Sequence, residues 1–163
     1  RYDVFEMQPD EHARLSALMA GRKGVATHGA DGFAGAVGRL ASDAVHLVLV
    51  DPPFERADDY ARSCDLAAEV LGRDPVATLL IWLPLKDLHT LDVFVRDLED
   101  ACEPAPILIA EARMRPLEDP MKMNGCALAL INPPEGAQAV LQAICAAVVA
   151  EAPGGKAQVW PAG

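Results

Sequence analysis

Close cysteine pairs are missing from this sequence. Cys64, Cys102, Cys126 and Cys145 lie far apart and none forms a C-x-x-C. Zinc sites and dithiol redox motifs take two ligands from one turn, so neither is expected. The thiols read instead as buried residues in a reducing cytoplasm. His12, His28, His46 and His89 are equally scattered, and no metal is predicted. Long hydrophobic runs are missing too. The longest apolar stretch, Ala77–Leu85, is interrupted by Pro84 and falls far short of the roughly 20 residues of a membrane-spanning helix. No basic-then-apolar leader opens the chain, so nothing points to export or to a membrane partner. Bases are scarce: 14 Lys and Arg stand against 24 Asp and Glu, a formal charge of −10. Such a surface repels bulk nucleic acid, and any RNA or DNA contact must come from a local basic patch.

What is present is an apolar, mixed composition, 52% hydrophobic over 163 residues. It excludes disorder and low-complexity character and predicts one domain, residues 1–163, with a substantial core. The chain opens at Arg1 without a methionine and runs almost at once into Val4–Phe5, which suggests an incomplete domain. Strand and helix patterns then alternate. Strands are expected at Tyr2–Glu6, Gly24–His28, Ala44–Val50 and Thr78–Leu83. Helices are expected at about Pro9–Gly21, Asp31–Leu40, Asp59–Leu71 and Asp87–Ala101. The run Ala44–Val50 (AVHLVLV) reads as a strand buried on both faces. Later, Ile107–Ala110 and Cys126–Ile131 (CALALI) are separated by a polar loop, Arg113–Gly125, with no helix, so they should pair antiparallel. A helix over Gln138–Glu151 and an edge strand at Ala157–Trp160 close the chain. The expected fold is α/β and Rossmann-like, a mostly parallel sheet with a late antiparallel strand.

In such a sheet, ligands bind outside the carboxyl ends of the strands. The residues there are Glu6, His28–Asp31, Asp51–Phe54 and Pro84–Asp87. Asp31 is explained equally well as a helix cap. Glu6, followed by a loop, is placed to accept ribose hydroxyls of a nucleoside. The glycine-rich turn that grips such a cofactor lies about 20 residues before the ribose-binding acid. That position falls upstream of Arg1, and no G-x-G occurs in the chain. On this reading the first strand and its loop are absent from the sequence.

The most specific motif is Asp51-Pro52-Pro53-Phe54. Neither proline can donate a backbone hydrogen bond, and together they hold the chain stiff and extended. A carbonyl and the Asp51 carboxylate become fixed acceptors, and Phe54 offers a flat apolar ring. That set suits a planar group with an exocyclic amine, such as a flipped adenine. A rigid turn leading to an ordinary helix cap is the other reading. A second diproline, Asn132-Pro133-Pro134-Glu135, follows the antiparallel strand, lacks a ring and is read as structural.

D-P-P-F after a buried strand is the pattern [DNS]-P-P-[YFW] of S-adenosylmethionine-dependent amino methyltransferases. With FEMQPDEHARL, GADGF, LVLVDPPFE, Tyr60, LLIWLPLKD and MNGCALALINPP, the chain resembles the RlmJ family of 23S rRNA adenine-N6 methyltransferases, over its C-terminal two-thirds. The resemblance implies S-adenosylmethionine as cofactor, with Glu6 on the ribose and Asp31 with Gly32 beside the cofactor adenine. It further implies that Asp51 and the Pro52 carbonyl hold the target amine, with Pro53 stiffening the turn and Phe54 stacking on the base. Three departures stand out: the missing first strand and glycine loop, Phe54 where many members have Tyr, and Glu135 where an aromatic is common.

Arg113, Arg115 and Lys122 fall in the 113–125 loop, which must emerge at the carboxyl end of the parallel strands; Lys86 and Arg56 could extend the patch. A solvated loop and an rRNA phosphate contact are equal readings of these bases. Within enzymes, DNA adenine and protein amide methylation share the D-P-P-F motif. A degenerate fold serving as a binding module is the non-catalytic alternative.

Overall fold

The computed structural model describes residues 1–56, 58–119 and 121–163. It divides into two compact units, Arg1–Ala44 and Val45–Gly163.

In the first unit, strand β1 (Tyr2–Phe5) leads through helix α1 (Pro9–Met19) to strand β2 (Val25–His28), which pairs with β1 in parallel, from Tyr2↔Val25 to Phe5↔His28. Pro9 opens α1 at a position where its missing N–H costs nothing. The helix expected over Asp31–Leu40 is shorter and broken. Only α2 (Gly32–Gly35) is helical, followed by a 3-10 turn at Val37–Arg39. Glycines 32, 35 and 38 explain this, because each weakens helix propagation by about 1 kcal/mol relative to alanine. Two of them serve packing: a Cβ on Gly32 or Gly35 would press into the Phe5 side chain.

The second unit holds a five-stranded sheet in the order β3-β4-β6-β5-β7. Its strands are β3 (Leu47–Val50), β4 (Thr78–Leu85), β5 (Ile107–Arg113), β6 (Gly125–Ile131) and β7 (Lys156–Pro161). The expectation of a mostly parallel sheet is corrected here. Among the described residues of this sheet only β3–β4 is a parallel ladder, and β6 pairs antiparallel with both β4 and β5. A loop without a helix can return the chain only beside its own strand, and β6 slots between β4 and β5. Those two, with β3, still run in one direction. β7 adds an antiparallel edge against β5.

Helices α3 (Asp59–Arg73) and α4 (Leu88–Cys102) cover one face of the sheet. That face consists of Leu79, Ile81, Leu83 and Leu85 of β4 with Ala127, Ala129 and Ile131 of β6, all buried together with Val70, Phe94 and Leu98. Helix α5 (Ala137–Val149) packs Leu141 and Cys145 on the other face, against Leu108, Ala110, Ala112 and Leu130. β3 departs from its expected burial on both faces: it has one partner strand in this unit, and Leu47 and Leu49 are exposed. β4 runs two residues further than expected, through Pro84. The N–H of Thr78 points to β3, so by alternation the donorless Pro84 nitrogen faces the same side. The β3 ladder has already stopped there, at Val50↔Ile81, so no ladder bond is lost.

All four cysteines are free thiols. Burial pushes Cys64 up to about 12 and Cys102 up to about 11, so neither is a nucleophile at neutral pH. No helix among the described residues is long and apolar enough to cross a membrane.

Asp87 caps α4, accepting from Thr90 N at 2.8 Å and Thr90 Oγ1 at 2.9 Å. The backbone N–H of Thr90 holds its carboxyl below the usual value. Asp87→Ala should cost about 1 kcal/mol in urea unfolding at pH 7. A carboxyl depressed in the folded state contributes fully above its unfolded value and loses that contribution as pH falls through the folded one. The gap between wild type and variant should therefore close below about pH 4.

Candidate functional site

The carboxyl end of the parallel strands in the second unit gathers most of the predicted residues. Asp51 leaves β3 one residue after Val50, and Pro52 and Pro53 carry the chain away with no N–H to donate. Asp51 and Pro53 are exposed and Pro52 is half-buried, and neither proline nitrogen carries a donor. Phe54 is placed differently from its expected role. Its φ is 50°, in the left-handed region that bulky residues avoid, and its side chain is only 5% exposed. The ring lies 4.7 Å from Tyr60 and 6.4 Å from Trp82, and Tyr60 in turn meets Phe94 at 5.8 Å. In this conformation Phe54 has no free face for a base. It anchors the D-P-P-F turn to the aromatic core, because a turn of two prolines has no ladder bonds to hold it.

The turn then enters α3. Asp59 is buried in the first helical turn, accepting from Arg56 N at 3.2 Å. Arg56, counted as a possible patch residue, pairs through Nε and Nη2 with Asp58, both at 3.1 Å.

Arg113, Arg115 and Lys122 also divide. Arg113 is the last residue of β5 and not part of the loop. Its guanidinium donates through both Nε and Nη2 to the carboxylate of Glu111, which is 1% exposed. That bidentate pair commits Arg113 to the sheet interior. Arg115 and Lys122 stand exposed on the loop, Lys122 Nζ lying 3.0 Å from Asp119. Lys86, exposed after β4, belongs to the same end of the sheet.

One residue here escaped the sequence reading. Asn124 is buried and ties the loop to the end of β4. Its only sequence signal is an Asn-Gly pair before an apolar run. At the other end of the sheet stands the second diproline. Asn132 donates from Nδ2 to the carbonyls of Pro75 at 3.0 Å and Ala77 at 2.9 Å, and its own carbonyl accepts from Thr78 Oγ1. N-P-P-E is a clamp remote from D-P-P-F.

The expected cofactor residues lie in the first unit. Glu6 follows β1, its N–H donating to His28 O at 3.0 Å. Its Oε1 accepts from Gln8 N at 2.6 Å, which orients the carboxylate. It lines an open recess of about 330 Å³ with Glu11, Arg14, Leu15 and Leu18. Asp31 follows β2 and caps α2 through Phe33 N at 2.9 Å. Glu6 and Asp31 therefore share the carboxyl end of the β1–β2 pair, while Asp31 and Gly32 lie outside the recess.

Comparison with known proteins bears on the family and the fold. The family model described as "Ribosomal RNA large subunit methyltransferase D, RlmJ" matches residues 1–162. Ribosomal RNA large subunit methyltransferase J of Haemophilus influenzae is 34% identical over 88 residues, 54% of this chain and 31% of that protein. A Legionella pneumophila protein of solved structure superposes on 99% of this chain with a TM-score of 0.88 at 21% identity, and 61% of its own length is covered. The N-methyltransferase NodS of Bradyrhizobium japonicum shares the fold more loosely, with a TM-score of 0.51 at 10% identity over 80% of this chain and 72% of its own. The chain thus spans less than two thirds of both the Haemophilus and the Legionella relatives.

The Glu111–Arg113 pair separates a structural base from a surface one. Arg113→Met strands a buried carboxylate and should cost about 3 kcal/mol, whereas Arg115→Ala should stay within about 0.5 kcal/mol. Urea unfolding of the two variants checks the contrast.

Proposed function

Since the chain belongs to the RlmJ family of ribosomal RNA large subunit methyltransferases, we propose that it forms the target-binding part of an enzyme that methylates the N6 amine of an adenine in 23S rRNA with S-adenosylmethionine. The observation that carries this reading is D-P-P-F itself, exposed acceptors on a donorless turn at the carboxyl end of the sheet. An exocyclic amine carries two N–H donors. Asp51 accepts one and the Pro52 carbonyl the other, and neither Pro52 nor Pro53 has a competing backbone N–H. Two acceptors fix the nitrogen's orientation and raise its electron density, which is a positioning task more than an acid–base one.

The residues of the first unit suit the nucleoside end of the cofactor. The Glu6 carboxylate is held by Gln8 N–H at one oxygen, and its remaining lone pairs can accept ribose hydroxyls; Asp31 and Gly32 are assigned to the adenine side. S-adenosylmethionine, when bound, supplies an electrophilic methyl group on a sulfonium. Asp51 orients the target amine by accepting one of its N–H groups.

Phosphate contact falls to Arg115, Lys122 and Lys86, the exposed bases at the D-P-P-F end. With a net charge of −10, this small patch favours one structured RNA site over nucleic acid in general.

Full-length protein incubated with labelled S-adenosylmethionine and unmodified 23S rRNA should transfer methyl to an adenine N6. Asp51→Ala should lower that rate at least 100-fold, with cofactor binding retained. Absence of transfer, or transfer undiminished in Asp51→Ala, would sink the proposal, and competition with duplex DNA and peptide amides tests the substrate class.

A further inference from the structure

Asn124 ties together the two ends of the loop between β5 and β6. Asn124 is 2% exposed, yet its amide and backbone reach three segments. Nδ2 donates to Lys86 O at 3.0 Å, just past the end of β4, and to Asp119 O at 2.9 Å, across the loop. The backbone N–H donates to Leu85 O at 2.8 Å. The backbone carbonyl accepts from Met114 N at 2.9 Å and Arg115 N at 3.0 Å, where the chain leaves β5. Both amide hydrogens and the whole backbone of Asn124 are engaged.

Of the two exposed bases, Arg115 is one hydrogen bond from this residue and Lys122 is two. Arg115 N–H is held by the Asn124 carbonyl. Lys122 N–H donates at 3.1 Å to Asp119 O, the carbonyl that also receives the Asn124 amide. Asp119 steadies the crown further, accepting from Met121 N at 3.0 Å. Next to Asn124, Gly125 leaves no slack, since a Cβ there would run into the backbone of Ala112. The described residues of the loop form no strand or helix, so these bonds hold its backbone in place.

We propose that Asn124 is a positioning residue that sets Arg115 and Lys122 at the D-P-P-F end of the sheet and thereby fixes how tightly the RNA substrate is held. The assignment rests on the reading of the protein as an rRNA methyltransferase. Its chemistry is that of a buried primary amide matched to two carbonyl oxygens. Aspartate has the same shape but turns both donors into acceptors facing acceptors.

The test uses the full-length protein and two readouts. One is binding of a fluorescent 23S rRNA fragment without cofactor, over a series of salt concentrations. The other is steady-state methyl transfer, separating KM for rRNA, KM for S-adenosylmethionine and kcat. Asn124→Asp should raise the RNA Kd and KM at least tenfold, with kcat at saturating RNA and the cofactor KM within twofold. The plot of log Kd against log salt should become shallower by about 1 to 2, as phosphate contacts are lost. The double variant Arg115→Gln/Lys122→Gln keeps Asn124 and should show the same loss. Adding Asn124→Asp to it should then change RNA affinity less than twofold, because the three residues act as one unit.

Unchanged RNA affinity and salt slope in Asn124→Asp would overturn the proposal. So would full additivity with the double variant, or a matching loss of cofactor affinity and kcat, which marks general unfolding. If the unaltered protein binds rRNA but transfers no methyl, the methyltransferase reading fails while the binding series still decides the role of Asn124. If it binds no rRNA, both fail.

Discussion

Strand β6 has no free edge. It is laddered to β4 from Leu79↔Ile131 to Leu85↔Gly125 and to β5 from Ile107↔Ile131 to Arg113↔Gly125. A charge on a strand paired on both sides and covered on both faces needs a partner beside it, and Gly125–Ile131 (GCALALI) carries no charge. Its small residues Ala127 and Ala129 bring the sheet close to the helix layer on one face, while Leu128 and Leu130 meet the α5 side. An asparagine stands at each end. Asn132 clamps the start of β4, and Asn124 clamps the end of β4 to the exit of β5. The two ends of one central strand thus define the two ends of the sheet, and only one of them receives D-P-P-F.

The distribution of charge follows from the same frame. Arg113 is paired with the buried Glu111, while Arg56 with Asp58 and Lys122 with Asp119 form exposed pairs. At the end of the sheet that carries Asp51 the exposed bases include Arg115, Lys122 and Lys86. A weak, local positive region on an acidic body steers a single substrate orientation without promoting indiscriminate binding. The acceptor chemistry at Asp51 and the Pro52 carbonyl is independent of that patch, because the diproline turn is rigid by covalent constraint and is tied down through Phe54 to Tyr60 and Trp82.

The alternation of elements and the D-P-P-F motif were legible in the sequence. So were the antiparallel return of β6 and the capping aspartate at position 31. These are local signals, periodicity and turn chemistry, that depend on residues a few positions apart. Less legible were the exposure of Leu47 and Leu49 on β3 and the burial of Phe54. AVHLVLV has the composition of a strand covered on both faces, but coverage depends on what neighbours it. An aromatic after a diproline looks the same whether it faces a ligand or the core.

By itself, then, the sequence determined the α/β character, the donorless acceptor turn at Asp51–Pro53 and the family to which both belong, since propensity, proline geometry and motif order are written residue by residue. Only the tertiary structure decided that Arg113 faces inward to Glu111 while Arg115 and Lys122 face out, and that Asn124 closes the loop between them. The reason is that side-chain partnership is a matter of register. Glu111 and Arg113 share a face because β5 runs on to Arg113, and no count of charges in the sequence reveals which of them the sheet has already paired.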